Sequence, residues 1–162
     1  MKKSILVILL LIAGFSIFAK NSKHKKKAAQ DNGITSVEIY RTVCFGRCPE
    51  YKIEINKDGM ATYTGMRFSQ DTGIFKKSIG KAKANEIIDM FIENKADTCR
   101  EMYDNRIPDL PGLIVTINYP NRKKVIHSAN FGPPFLSRIA EAMDAVGKKT
   151  DNSWKKVGMP KF

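Results

Sequence analysis

Two histidines, three cysteines and one tryptophan are all that 162 residues contain of these types, and the scarcity closes off several chemistries. One histidine, His24, lies in a lysine-rich stretch near the start, which leaves His127 alone in the body of the chain. No Gly-x-Ser-x-Gly elbow and no glycine-rich phosphate loop is present, so nucleophilic hydrolysis and nucleotide chemistry lack their usual constellations. No two cysteines stand two residues apart, the spacing a thiol-disulfide enzyme uses at a helix N-terminus, where the helix end lowers the thiol pKa. The apolar run near the start, Ile5 to Ala19, is 15 residues long and broken by Gly14 and Ser16. It falls short of the roughly 20 needed to span a bilayer.

What that run does fit is an export signal. Met1-Lys2-Lys3 is positive, Ile5 to Ile12 is unbroken apolar, and Ala13 to Ala19 ends in a small residue before a very polar stretch. The expected cut follows Ala19, with no cysteine nearby to take a lipid and no transmembrane span left after cleavage. The mature chain is then expected outside the cytoplasm, periplasmic or secreted, where disulfides persist.

Charge is distributed unevenly. The formal net charge is +12, from 28 basic and 16 acidic side chains. Lys2 and Lys3 leave with the signal. Lys20, Lys23, Lys25, Lys26 and Lys27 crowd the new N-terminus, so residues 20–33 read as a basic disordered arm with almost nothing large and apolar to bury. Anionic lipid, acidic polysaccharide or nucleic acid would all attract such an arm. Residues 34–162 carry 21 basic and 15 acidic side chains, and so mild an excess argues against a nucleic-acid partner.

The body reads as one α+β domain over residues 34–150 with a tail over 151–162. Val37, Ile39, Arg41 and Val43 alternate with polar residues at the period of a half-buried strand. Tyr51, Ile53 and Ile55 do the same, Asp58-Gly59 offers a tight hairpin turn, and Met60 to Gly65 is its return strand. Gly73 to Ile79 is another strand. Ala84, Ile87, Ile88, Phe91 and Ile92 then fall on one helical face. The second half is simpler: Leu113 to Tyr119, a turn at Pro120-Asn121, Arg122 to Ser128, and a helix striped by Leu136, Ile139, Ala140, Met143 and Val146. Gly147 with Lys148-Lys149 suits its C-terminal end. Hairpin, helix, hairpin, helix predicts a two-layer sandwich on a mostly antiparallel sheet. Trp154 and Phe162 are expected to pack the tail onto the body.

The most distinctive stretch is Cys44-Phe45-Gly46-Arg47-Cys48-Pro49-Glu50-Tyr51. In an oxidising compartment Gly46 can bend so that the two flanking sulfurs meet, which favours Cys44 with Cys48 and leaves Cys99 as a free thiol. A bridge from either to Cys99 is the alternative. Cys44, Cys48, Cys99 and His127 have the ligand types of a zinc site, but not the spacing of a zinc finger, so no metal and no cofactor is expected. Glu101, Asp104 and Asp109 read as an ordinary polar connection.

The segment Cys44-x-Gly46-x-Cys48-Pro49-x-Tyr51, the Asp58-Gly59 turn leading to Tyr63-x-Gly65, and Asp109-x-Pro111 ahead of Leu113 together resemble the bacterial domain of unknown function 6438 family over most of residues 36–147. The resemblance implies a small domain of exported bacterial proteins and carries no established activity or catalytic residues. The functional expectation is a non-enzymatic binding module held by a disulfide. Its candidate surface is Arg41, Arg47 and Tyr51 around the stapled loop, facing a protein or an acidic surface ligand. The alternative is a thiol-disulfide redox protein or sensor using Cys44 and Cys48.

Overall fold

Alternation decides which side of each strand turns inward. In β1 (Ser36–Arg41) Val37 and Ile39 are fully buried, and in β2 (Tyr51–Asn56) so are Ile53 and Ile55. Register places them opposite one another, Val37 against Ile55 and Ile39 against Ile53. On the other flank of β1, Ile117 and Val115 of β5 (Leu113–Asn118) meet the same two residues. Each of these aliphatic side chains contributes about 1.5–3 kcal/mol by leaving water, and cross-strand contact fixes the register.

The computed structural model describes residues 33–103, 110–128, 131–147 and 152–160. The leader, the basic arm apart from Gly33, and Asp104, Asp109, Lys148, Lys149 and Phe162 lie outside the described residues.

Among the described residues seven strands form one antiparallel sheet in the order β6-β5-β1-β2-β3-β4-β7. β3 (Met60–Gly65) and β4 (Gly73–Ser78) continue the meander of β1 and β2, and β6 (Lys123–His127) borders β5. The β2–β3 turn forms because the Asn56 side chain accepts the backbone N–H groups of Asp58 and Met60 at 3.1 and 2.9 Å. Gly59 takes φ of 89° there, and a Cβ at this position would lie 2.5 Å from the Gly80 carbonyl carbon. Among the described residues two helices, α1 (Lys81–Glu93) and α2 (Pro134–Gly147), join the sheet in an α+β fold. α1 buries Ala84, Ile87, Ile88 and Phe91, and α2 buries Leu136, Ile139, Ala140 and Met143, in the same cluster as the inward strand residues.

Three details depart from the sequence reading. β1 stops at Arg41, so Val43 lies outside it and is exposed. Ile92 is also exposed, at the rim of the α1 stripe. The order is four strands, helix, two strands, helix, and then a seventh strand, β7 (Lys155–Gly158), from the segment read as a tail. β7 has one large apolar residue, Val157, and that one is exposed, so no period-2 pattern marks it. Its place comes from pairing with the edge of β4 and from Trp154, which is buried beside it.

Candidate functional site

Arg41 ends β1 and Tyr51 begins β2, and the two are register partners on the inward face. An arginine following Val37 and Ile39 on that face needs a partner. It finds one in Asp144, from the last turn of α2: Arg41 Nη2 donates to Asp144 Oδ2 at 2.7 Å, and the Tyr51 hydroxyl donates to Oδ1 at 2.8 Å. A carboxylate near a helix C-terminus opposes the helix dipole, and the guanidinium offsets that. Burial alone would lower the Arg41 pKa, but the hydrogen bond and charge of Asp144 outweigh it and raise it. The Tyr51 phenol is raised too, first by burial and then by Asp144, with Arg41 opposing.

From Tyr51 a row of rings crosses the sheet. Tyr51 and Tyr63 have centroids 5.7 Å apart, Tyr63 and Phe75 6.3 Å, and Trp154 meets Tyr63 edge-on at 6.3 Å. Tyr51 and Tyr63 wall a half-open pocket of about 220 Å³, closed further by Pro49, Gln70, Asp71 and Asp144. Gln70 and Asp71 reach it because the β3–β4 loop folds back over Gly65. A Cβ on Gly65 would sit 1.8 Å from the Asp71 carbonyl oxygen, so only glycine fits that approach.

Beside the pocket lies the cysteine loop. Cys44 and Cys48 are joined, with Sγ atoms 1.97 Å and Cα atoms 5.6 Å apart, and Cys99 is not in a disulfide. Between the bonded pair, Phe45 is 89% exposed and Gly46 and Arg47 are also at the surface. The next loop carries Phe68, 55% exposed and held at φ of 56°, a backbone region that a bulky residue seldom takes. The two loops are tied together. Glu50 N–H donates to Arg67 O at 2.8 Å, and Met66 N–H to Glu50 O at 2.9 Å.

A second triad fixes that junction on the opposite face of the sheet. The Tyr40 hydroxyl donates to Glu50 Oε1 at 2.5 Å and Arg67 Nε to Oε2 at 3.1 Å. The Tyr40 hydrogen bond, helped by Arg67 and opposed by burial, holds the Glu50 carboxyl below its ordinary range. Burial and Glu50 push the Tyr40 phenol up to about 12.

Of the three residues expected to form a recognition surface, Arg41 and Tyr51 therefore come together on Asp144, and Arg47 stands apart at the loop tip. Sequence reasoning missed Asp144, Tyr63, Gln70 and Asp71, and also Phe45 and Phe68 as surface groups. Asp144 left a trace: it continues the i, i+4 row of Leu136 and Ala140, where an apolar residue is expected. Cys99 ends a short 3-10 turn (Ala96–Thr98) beyond α1, while His127 lies in β6 opposite Ile114. Among the described residues no group of three or more histidine, cysteine or acidic side chains could hold a metal ion. No helix among them is long and apolar enough to cross a membrane.

The architecture is that of a sheet-dominated α+β domain with an intraloop disulfide. The chain belongs to the family described as Domain of unknown function (DUF6438), whose model matches residues 35–147, from the start of the sheet to the last residue of α2. No curated protein matches the chain.

Proposed function

We propose that this protein is an exported, non-enzymatic binding module, cut after Ala19, with both helices packed on one side of the sheet as a two-layer sandwich. It engages a partner through the end of the sheet that carries the cysteine loop and the β3–β4 loop. The observation that carries this reading is the display of Phe45 and Phe68 on adjacent, constrained loops. Exposed aromatic side chains on loops held by a disulfide and by a left-handed backbone are presented at little further entropic cost on binding. Arg47 at the tip adds a charge that orients a partner.

Site-specific photocrosslinkers at Phe45 and Phe68, with one at Glu86 on α1 as control, test the surface in intact cells. The expected result is one discrete adduct from both loop positions and none from α1. Crosslinking that is equal at all three positions, or absent from the loops, overturns it. Edman sequencing of the fractionated protein is expected to start at Lys20 outside the cytoplasm, and a retained Met1 sinks the export reading.

The second reading is thiol-disulfide exchange at Cys44–Cys48, favoured by the exposure of the residues between the two sulfurs. It predicts turnover of a disulfide substrate by the purified protein with a thiol reductant, lost in Cys44→Ser. The binding reading predicts no turnover above that of the reductant alone.

A further inference from the structure

We propose that the outer edge of β7 takes an extended, acidic segment of a partner protein as a further strand of the sheet. This surface is not the pair of loops bearing Phe45 and Phe68, and the proposal does not depend on them.

The sheet ends in β6 on one side and in β7 on the other. The β6 end is partly occupied: Tyr103 N–H donates to His127 O and His127 N–H to Glu101 O, both at 2.8 Å, and Met102 forms a parallel bridge with His127. β7 has no such neighbour. Among the described residues its backbone pairs with β4 alone, and Lys155, Lys156 and Val157 are all exposed. The free side of an edge strand presents N–H and C=O groups in a row, which is what an added strand pairs with. Pro160, just past Gly158, has no N–H to offer and ends the row.

Lysine on an edge guards against pairing with apolar strands, but the arrangement here goes further. Lys155 and Lys76 are register partners on the two outermost strands, and like charges directly opposite one another destabilise a sheet. Neither forms an ion pair among the described residues. Along the same row come Thr62 and then Glu54, whose carboxylate accepts from Ser36 and whose backbone is about 10 Å from that of Lys76. Lys156, on the other face, lies over the Phe75 ring at 5.8 Å. A carboxylate on an added strand opposite Lys155 would supply the missing counter-charge one strand spacing away. Val157 and Met159, 55% and 57% exposed, offer apolar contact at alternate positions. A second copy of this chain would bring its own Lys155 and Lys156 to the edge, so charge disfavours self-pairing. A lipid or polysaccharide anion would answer the lysines but not the backbone row, so a peptide segment is the occupant that meets both.

The test uses the mature, oxidised chain with its backbone amides observed by NMR. Three blocked hexapeptides are titrated: alternating glutamate and valine, the same with glutamine for glutamate, and alternating glutamate and proline, which keeps the charge but cannot form a ladder. The first should shift the β7 amides and slow their exchange. The glutamine peptide should bind at least fivefold more weakly and the proline peptide at least tenfold. Lys155→Glu should weaken binding of the first peptide at least fivefold with the melting temperature unchanged or raised, since it gives Lys76 a register partner of opposite charge; Lys155→Gln should fall between. No shift in β7 at the highest soluble peptide concentration, equal binding of the proline peptide, or undiminished binding to both Lys155 variants overturns the proposal. Shifts of the β7 amides that grow with protein concentration alone would assign the edge to a second copy and overturn it too. Loop crosslinks without peptide binding would sink this inference and leave the loop reading standing; peptide binding without loop crosslinks would do the reverse.

Discussion

Two tyrosine–carboxylate–arginine triads stand on opposite faces of the same strand ends, built from the neighbouring pairs Tyr40-Arg41 and Glu50-Tyr51. On one face, called the open face because Arg67 there is 66% exposed, Tyr40 and Arg67 share Glu50; on the other, called the helix face because Asp144 comes from α2, Arg41 and Tyr51 share Asp144. The chemistry is the same but the consequences differ. The open-face set spans sequence separations of 10 and 17 and ties one loop to the next. The helix-face set spans 103 and 93 and ties α2 to the sheet. Solvent divides them as well. Among the arginines Arg67 is 66% exposed and has water to fall back on, whereas Arg41 is 29% exposed; among the carboxylates the order reverses, Glu50 at 7% and Asp144 at 23%.

The largest expected effect comes from breaking the helix-face set. Asp144→Ala leaves a half-buried guanidinium and a Tyr51 hydroxyl without their acceptor. That should cost about 2–3 kcal/mol, less than the 3–5 kcal/mol of a fully buried pair because solvent reaches both groups. The midpoint of urea unfolding measures it, and a double-mutant cycle with Arg41→Met should return a coupling of about 1–2 kcal/mol. A loss below about 1 kcal/mol would mean that α2 is held by apolar contact alone.

Next comes the staple. Replacing Cys44 and Cys48 with serine opens a five-residue loop, for which chain entropy gives about 2 kcal/mol, with engineered cases often lower. The loss should be felt at the open-face triad, since Glu50 is two residues from Cys48, and should leave the Tyr51–Asp144 contact intact. Amide exchange separates the two. Faster exchange at Glu50 and Met66 with unchanged protection in α2 is expected, and uniform loss of protection would show that the loop supports the whole fold.

The same contrast explains what the sequence could and could not reveal. The α+β class and six of the seven strands were legible because Val37, Ile39, Ile53, Ile55, Val115 and Ile117 keep the period of two, and the two helices keep theirs. The stapled loop was legible because its cysteines are near neighbours. The helix-face site was half legible: Arg41 sits where an inward apolar residue belongs and Asp144 interrupts the α2 stripe, so each asks for a buried partner. Nothing in one sequence says that these two, 103 residues apart, answer each other, because their meeting depends on where α2 crosses the sheet. Gln70 and Asp71 were hidden for another reason, since a loop that folds back over Gly65 has no periodicity to read. β7 was missed because an edge strand with two lysines and an exposed valine looks like any polar tail.

A smaller effect tests the open-face set by pH. Glu50 has a folded pKa below its ordinary value of 4.5. It therefore contributes stability that is present above pH about 4.5 and lost as pH falls through the lower, folded value. Glu50→Gln should cost about 1–2 kcal/mol at pH 7 and less below pH about 4. Glu38, raised mainly by burial, gives the opposite slope, so the comparison is made as the difference between wild type and variant. A difference that stays constant with pH would show that Glu50 acts by packing and not by charge.

The smallest effect concerns the hydroxyl of Tyr40. Its phenol is pushed up to about 12, by burial first and then by Glu50, from an ordinary value of 10.0. A raised phenol pKa contributes stability that is complete below pH about 10 and fades as pH climbs through the folded value. Tyr40→Phe should cost about 0.5–1.5 kcal/mol at pH 7, as one hydrogen bond to a carboxylate with solvent nearby. It should also remove one late step from the absorbance titration at 295 nm. Tyr51→Phe should remove a different late step and cost more, because the hydroxyl it deletes ties α2 to the sheet through Asp144, whereas that of Tyr40 ties one loop to the next. If the two substitutions cost the same, the distinction between the two faces would be one of sequence distance only.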